Sequence, residues 1–157
     1  MVTLRQLRCH PEPLCPGSLP AGRVRICENP VVVAAAADEL GDRCQALVCV
    51  GGQPSAAGWR LLELLAAGGA EFGYHGGFDW GGARIARTVR HWMSWQPWRY
   101  DHLAYEAAAS EARPLAPLLG EPVATPWDPE LAAAMRYRGI RVEEELTLDA
   151  LLQVLSR

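Results

Sequence analysis

Apolar residues in this chain fall in short runs of strand length, and each run gives way to a stretch with helical spacing. Arg23 to Cys27 predicts a strand with Val24 and Ile26 facing one side. Asn29 is a good N-cap and Pro30 suits the first helical position, so a helix is expected from Pro30 to about Leu40, stopping at Gly41. Residues 46–50 read as a continuous apolar strand of the buried, parallel type. A turn over 51–55 follows, then a helix over 56–67 with Leu61, Leu64 and Leu65 on one face and Gly68 and Gly69 ending it. Residues 70–74 predict a third strand. Beyond a glycine-rich turn, an amphipathic helix over 83–93 turns Ile85, Val89, Trp92 and Met93 inward and Arg84, Arg87, Arg90 and His91 outward. Three strand–helix units in succession imply an α/β fold: a mostly parallel, Rossmann-like sheet with right-handed crossovers and helices on both faces.

The flanks are less regular. Residues 2–7 alternate as an edge strand would, and 10–22 form a Pro/Gly-rich loop, so 1–22 is set apart from a domain over 23–157. Residues 95–100 hold room for a short strand, Asp101 is placed to cap a helix through Ala109, and 113–126 form a proline-rich connector. Asp128, Pro129 and Glu130 start a helix that Gly139 ends. A further strand over 140–142 is expected, then an acidic run, with Thr147 capping a last helix through Leu155.

A chain of 157 residues, half of them hydrophobic, suits one domain with a single core. All 15 basic residues are arginine and the formal charge is -3, so any nucleic-acid contact must come from a local patch. Cys27 and Cys49 sit in strand-like runs and read as buried thiols of a reducing, cytoplasmic compartment. Cys9, His10 and Cys15 suggest zinc only weakly, because no second ligand pair follows at finger spacing. No apolar run is long enough to span a bilayer, so no membrane partner is expected.

The candidate chemistry lies at strand ends. The turn from Tyr74 to Gly82 puts Asp79 after the third strand, either as a metal or phosphate-chemistry residue or as the cap of the next helix. Glu28 follows the first strand, and Glu143, Glu144 and Glu145 follow the last expected one. Such carboxylates, gathered at one sheet edge, would suit Mg²⁺ or Mn²⁺ and phosphodiester chemistry. The 51–55 turn reads as structural, since it lacks the lysine of a phosphate loop. Arg84 and Arg87 either meet a DNA backbone or form a solvated face, and His75 either orients a phosphate or is simply packed.

Glu28-Asn29-Pro30, then Gly52-Gln53-Pro54-Ser55, then His75-Gly76-Gly77-Phe78-Asp79-Trp80 resemble the Toprim domain of the DUF2399 proteins. More narrowly, they resemble the group found beside SMC-like ATPases in Wadjet-type anti-plasmid systems; Trp127-Asp128-Pro129 and Glu144-Glu145 fit that group too. The resemblance implies a Mg²⁺-dependent DNA endonuclease. Glu28 and Asp79 would be the catalytic carboxylates and, with Glu144 and Glu145 as the late acidic pair, the metal ligands; His75, Arg84 and Arg87 are the DNA contacts expected from the residues themselves. It also implies DNA and SMC-like ATPase subunits as partners, and a homodimer is a further candidate assembly. Two departures stand out. Gly77 occupies the place of the first aspartate of an Asp-x-Asp motif, a loss expected to cost about an order of magnitude in metal affinity. The family carries a large DNA-holding N-terminal region upstream of the stretch that resembles it here, so the sequence is expected to be either a fragment or a stand-alone domain. The tyrosine nucleophile of the topoisomerase branch would lie upstream too, and metal-activated water is the expected nucleophile. The alternative is a catalytically degraded Toprim module that binds DNA or a partner protein.

Overall fold

The computed structural model describes residues 22–111 and 113–156; the expected edge strand over 2–7, most of the 10–22 loop and the Cys9/His10/Cys15 group lie outside them. Four strands form one parallel sheet in the order β2-β1-β3-β4. They are β1 (Arg23–Cys27), β2 (Leu47–Cys49), β3 (Glu71–Tyr74) and β4 (Gln96–Pro97). The central strand β1 pairs with β2 on one side and β3 on the other, so the direction of winding reverses at β1. β2 is therefore an edge strand and only half-buried, not the buried strand its apolar run predicts. The all-parallel sheet with helices on both faces is an α/β fold.

α1 (Pro30–Leu40) begins and ends as its sequence dictates. Asn29 accepts a hydrogen bond from the Val31 amide, and Gly41 takes φ 51°, where a side chain would be strained. Ser55 caps α2 (Ala56–Ala67) by accepting from the Gly58 amide. Its buried leucines are Leu62 and Leu65, whereas Leu61 and Leu64 are half-buried; the inward stripe lies one position round from the expected one. α3 (Trp80–Trp92) starts three residues before the expected point, because Asp79 caps it through the Gly82 amide. Its inward stripe is Gly82, Ala83, Ala86 and Val89, small residues that let the helix lie close to the sheet. That stripe rotates Trp92 outward to 72% exposure, against expectation. Arg90 is not on a free face either: its guanidinium donates to the Trp95 carbonyl and lies 5.0 Å from the Trp95 ring centroid.

Asp101 caps α4 (His102–Ala109), and Asp128 caps α5 (Pro129–Arg138), which ends at Gly139 in the left-handed conformation. The expected strand over 140–142 is reduced to two isolated bridges, Pro117 with Ile140 and Phe78 with Val142. Thr147 is not the side-chain cap of α6 (Leu148–Leu155); a 3-10 turn over Glu144–Thr147 leads into that helix and engages the Thr147 hydroxyl elsewhere.

The two sheet faces carry separate cores. Val24, Ile26, Phe72 and Tyr74 face α2, α3, α4 and α5 in the larger one. Cys27 faces α1, α6 and Trp98 in the smaller one. Right-handed crossovers require this, since the chain winds one way through α1 and the other way through α2. Among the described residues no helix is long and apolar enough to cross a membrane.

Candidate active site

Because the winding reverses at β1, a crevice opens beyond the carboxyl ends of β1 and β3, the place where open α/β sheets bind ligands. Glu28 is the first residue past β1. Tyr74, the last residue of β3, donates its phenol hydrogen to Glu28 Oε1 at 2.7 Å. Glu144 arrives from the far end of the sequence, and its carboxylate accepts from the Glu28 amide at 3.1 Å and from the Asn29 amide. It thus covers the amino end of α1, where the helix dipole favours negative charge.

The loop over 75–79 brings Asp79 near enough to act electrostatically on Glu28. Phe78 is fully buried and exchanges backbone hydrogen bonds with Val142, at 2.8 and 3.2 Å. The Tyr100 hydroxyl donates to the Gly77 carbonyl at 3.0 Å. None of Gly76, Gly77, Gly81 and Gly82 takes a positive φ, so left-handed backbone is not what requires glycine here. Close approach explains three of them, Gly81 by a Cβ that would stand 2.9 Å from Asp79 Oδ1. A Cβ on Gly76 would stand 2.1 Å from Glu28 Oε1, and one on Gly82 2.3 Å from the Gly77 carbonyl oxygen. Gly77 is different. A Cβ there would meet only Asp79 Oδ2 at 3.9 Å and the Val142 carbonyl at 4.0 Å.

Electrostatics mark the same spot. Burial pushes the Glu28 carboxyl up to about 8; the Tyr74 hydrogen bond opposes this, while Glu144 and Asp79 add to it by repulsion. Burial likewise lifts Glu144 to about 8, against the pull of its two backbone donors. Glu144 is 3% exposed. The cluster is short of positive charge. A divalent cation fits that deficit, and Glu28 with Asp79 would be the carboxylates to hold it, since Mg²⁺ takes one or two carboxylates and fills its shell with water and phosphate oxygens. A cage built from protein alone is absent: among the described residues no three His, Cys, Asp or Glu side chains gather into a metal-holding group.

The other expected site residues are dispersed. His75 lies in the core, fully buried, with Nδ1 donating to the Trp98 carbonyl at 3.0 Å and Nε2 3.1 Å from the Thr147 hydroxyl. Burial drives its pKa down to about 4, so it is neutral and structural, not a DNA contact. Glu145 is exposed beside Glu144. Arg84 and Arg87 are exposed on α3, with Arg84 donating to the Glu121 carbonyl at 3.3 Å. Gly51 and Gly52 have φ 67° and 87°, so the turn over 51–55 needs glycine for its backbone and Ser55 for its cap. Sequence reasoning missed Tyr74. Its signal was a phenol ending a strand whose register partner, Ile26, stands two residues before Glu28.

Comparison with known proteins is narrow. Neither the curated proteins nor the solved structures contain a match to this chain. One family model, described as "Protein of unknown function C-terminus (DUF2399)", matches residues 1–155, and the chain therefore belongs to the DUF2399 family.

Proposed function

We propose that this protein is a Mg²⁺- or Mn²⁺-dependent DNA endonuclease of Toprim type, working beside an SMC-like ATPase complex in a Wadjet-like plasmid defence. The observation that supports the chemistry is the pair of carboxyls at Glu28 and Glu144, both raised to about 8 at the switch point of the sheet, with Asp79 repelling Glu28. A carboxyl held near neutrality can both keep and release a proton under working conditions. Glu28 is the general acid/base and Asp79 the charge that anchors a cation. Glu144 sets the backbone of Glu28, with Glu145 available beside it. Arg84 and Arg87 offer exposed positive charge on the helix that Asp79 caps. A bound cation would neutralise the carboxylates and stabilise charge developing on phosphorus. The DNA and ATPase partners rest on the motif resemblance alone.

Cleavage of supercoiled plasmid with Mg²⁺ or Mn²⁺ tests this, using Glu28→Gln and Asp79→Asn as comparisons. Both variants keep hydrogen-bonding shape and remove charge. Nicking that EDTA and either substitution abolish supports the nuclease; nicking that survives both substitutions refutes it.

A second reading, a degraded module that binds DNA or a protein without cutting, is favoured by Gly77. The backbone there does not demand glycine, and the space beside Asp79 is open. Cleavage gained only by Gly77→Asp would establish that reading.

A further inference from the structure

At the opposite, amino-terminal end of the sheet, β1 carries Arg23 and Arg25 on the face away from Val24 and Ile26. Arg25 is 8% exposed. Its register partner is Gly73, in mid-strand, where glycine weakens a sheet. The glycine makes room: a Cβ there would stand 2.4 Å from a terminal nitrogen of the Arg25 guanidinium and 3.1 Å from its Cδ. The guanidinium carbon lies 5.4 Å from the centroid of the Trp98 ring, a cation–π contact.

Among the described residues no side-chain acceptor answers this charge. Among the described residues Arg25 makes no ion pair, and its Nε is buried without a hydrogen-bond partner; so is the indole nitrogen of Trp98. Two cavities open on Arg23 and Arg25. One of about 480 Å³ runs along Gly73 and Gln96, and the other, of about 500 Å³, reaches Gln45 and Val154. Glu71 lines both cavities and stands opposite Arg23 in the register, yet no ion pair joins it to either arginine. A buried guanidinium is costly unless paired. Its fork of donors matches the oxygens of a carboxylate or phosphate group.

We propose that Arg25 and Arg23 form a binding site for a small oxyanion, a phosphate or carboxylate group, with the Trp98 ring backing the Arg25 guanidinium. The site is separate from the Glu28–Asp79 crevice and does not depend on the function proposed there.

The test is titration of the full chain with inorganic phosphate and, separately, with succinate, at ionic strength held constant with chloride. The arginine Nε–H resonances and the thermal midpoint are read together. The expected result is a saturable shift of the Arg25 resonance and a rise in midpoint with at least one anion. Arg25→Lys should weaken binding at least tenfold, Arg23→Gln should weaken it, and Arg60→Gln, on the exposed face of α2, should change nothing. Saturation by phosphate alone assigns the site to a phosphoryl group, and by succinate alone to a carboxylate. No saturable shift in either titration overturns the proposal, as does a midpoint rise that persists in Arg23→Gln and Arg25→Lys. The resonance titration uses unsubstituted protein, so misfolding of a variant does not blunt it.

Discussion

The Tyr74 phenol donates to Glu28 Oε1 at 2.7 Å, joining the last residue of β3 to the first residue past β1. The crevice between these strands is thereby closed on one side by a hydrogen bond that needs both strands in register. The bond favours the ionised form and so opposes burial, which still leaves the carboxyl raised to about 8. Tyr74→Phe should raise the Glu28 pKa further and cost about 1 kcal/mol of stability. Carboxyl-carbon NMR titration reads the first and urea unfolding the second.

Glu28 and Glu144 both have folded pKa values raised from 4.5 to about 8. Between those limits the folded chain holds protons that the unfolded chain has released. Their contribution to stability is therefore complete below about pH 4.5 and is lost as pH rises toward about 8. Thermal melts across this window should show a falling midpoint. Glu28→Gln should flatten the slope, and saturating Mg²⁺ should do the same where a cation binds the cluster.

Gly76 and Gly77 are adjacent and should respond oppositely. Gly76→Ala drives a methyl into Glu28 Oε1 and should displace that carboxyl or destabilise the fold by about 1–3 kcal/mol. Gly77→Ala should be tolerated within about 0.5 kcal/mol. Gly77→Asp should fold as well and bind Mn²⁺ more tightly than the natural chain, measured by calorimetry. A Gly77→Asp chain with unchanged Mn²⁺ affinity would argue against a cation at Asp79.

Asp79 caps α3 through the Gly82 amide at 2.8 Å, so its loss confounds structure with chemistry. Asp79→Ala should cost about 1 kcal/mol as a lost cap, whereas Asp79→Asn retains the cap and removes the charge. Unfolding curves for the two variants should differ by about that amount. Plasmid cleavage should be absent in both.

His102 bridges two helix starts. Its Nδ1 lies 2.8 Å from Asp128 Oδ2 and its Nε2 3.1 Å from Glu130 Oε2. The hydrogen bond with Asp128 raises the His102 pKa above its usual 6.5. This clamp is present at pH below 6.5 and is lost as pH rises through the raised value. His102→Gln should abolish that part of the pH dependence while leaving the Glu28 part intact, and histidine-ring NMR titration should show the raised pKa directly.

Local chemistry in the sequence determined where elements begin and stop. Asn29 with Pro30, Asp101 and Asp128 with Pro129 cap their helices as read, and Gly41 and Gly139 end theirs, because caps act over three or four residues and need no partner elsewhere. The strand–helix alternation likewise determined the parallel sheet, since a right-handed crossover leaves little choice. Placement of Glu28 and Asp79 at strand ends followed from the same alternation. What only the tertiary structure decided depends on contacts between distant residues. β2 became a half-buried edge because the sheet order puts it outermost, a matter no apolar run records. Trp92 points outward because the small side chains of Gly82, Ala83 and Ala86 let α3 settle on that face. Glu144, and not Glu143 or Glu145, meets Glu28 because the 3-10 turn at Glu144–Thr147 aims one carboxylate of three at the α1 amides. His75 went to the core, sealed between Trp98 and Thr147, and its neighbour Tyr74 supplied the hydrogen bond to Glu28 instead. The raised carboxyls arise from burial and from charge brought together across 116 residues, a separation over which only packing can act.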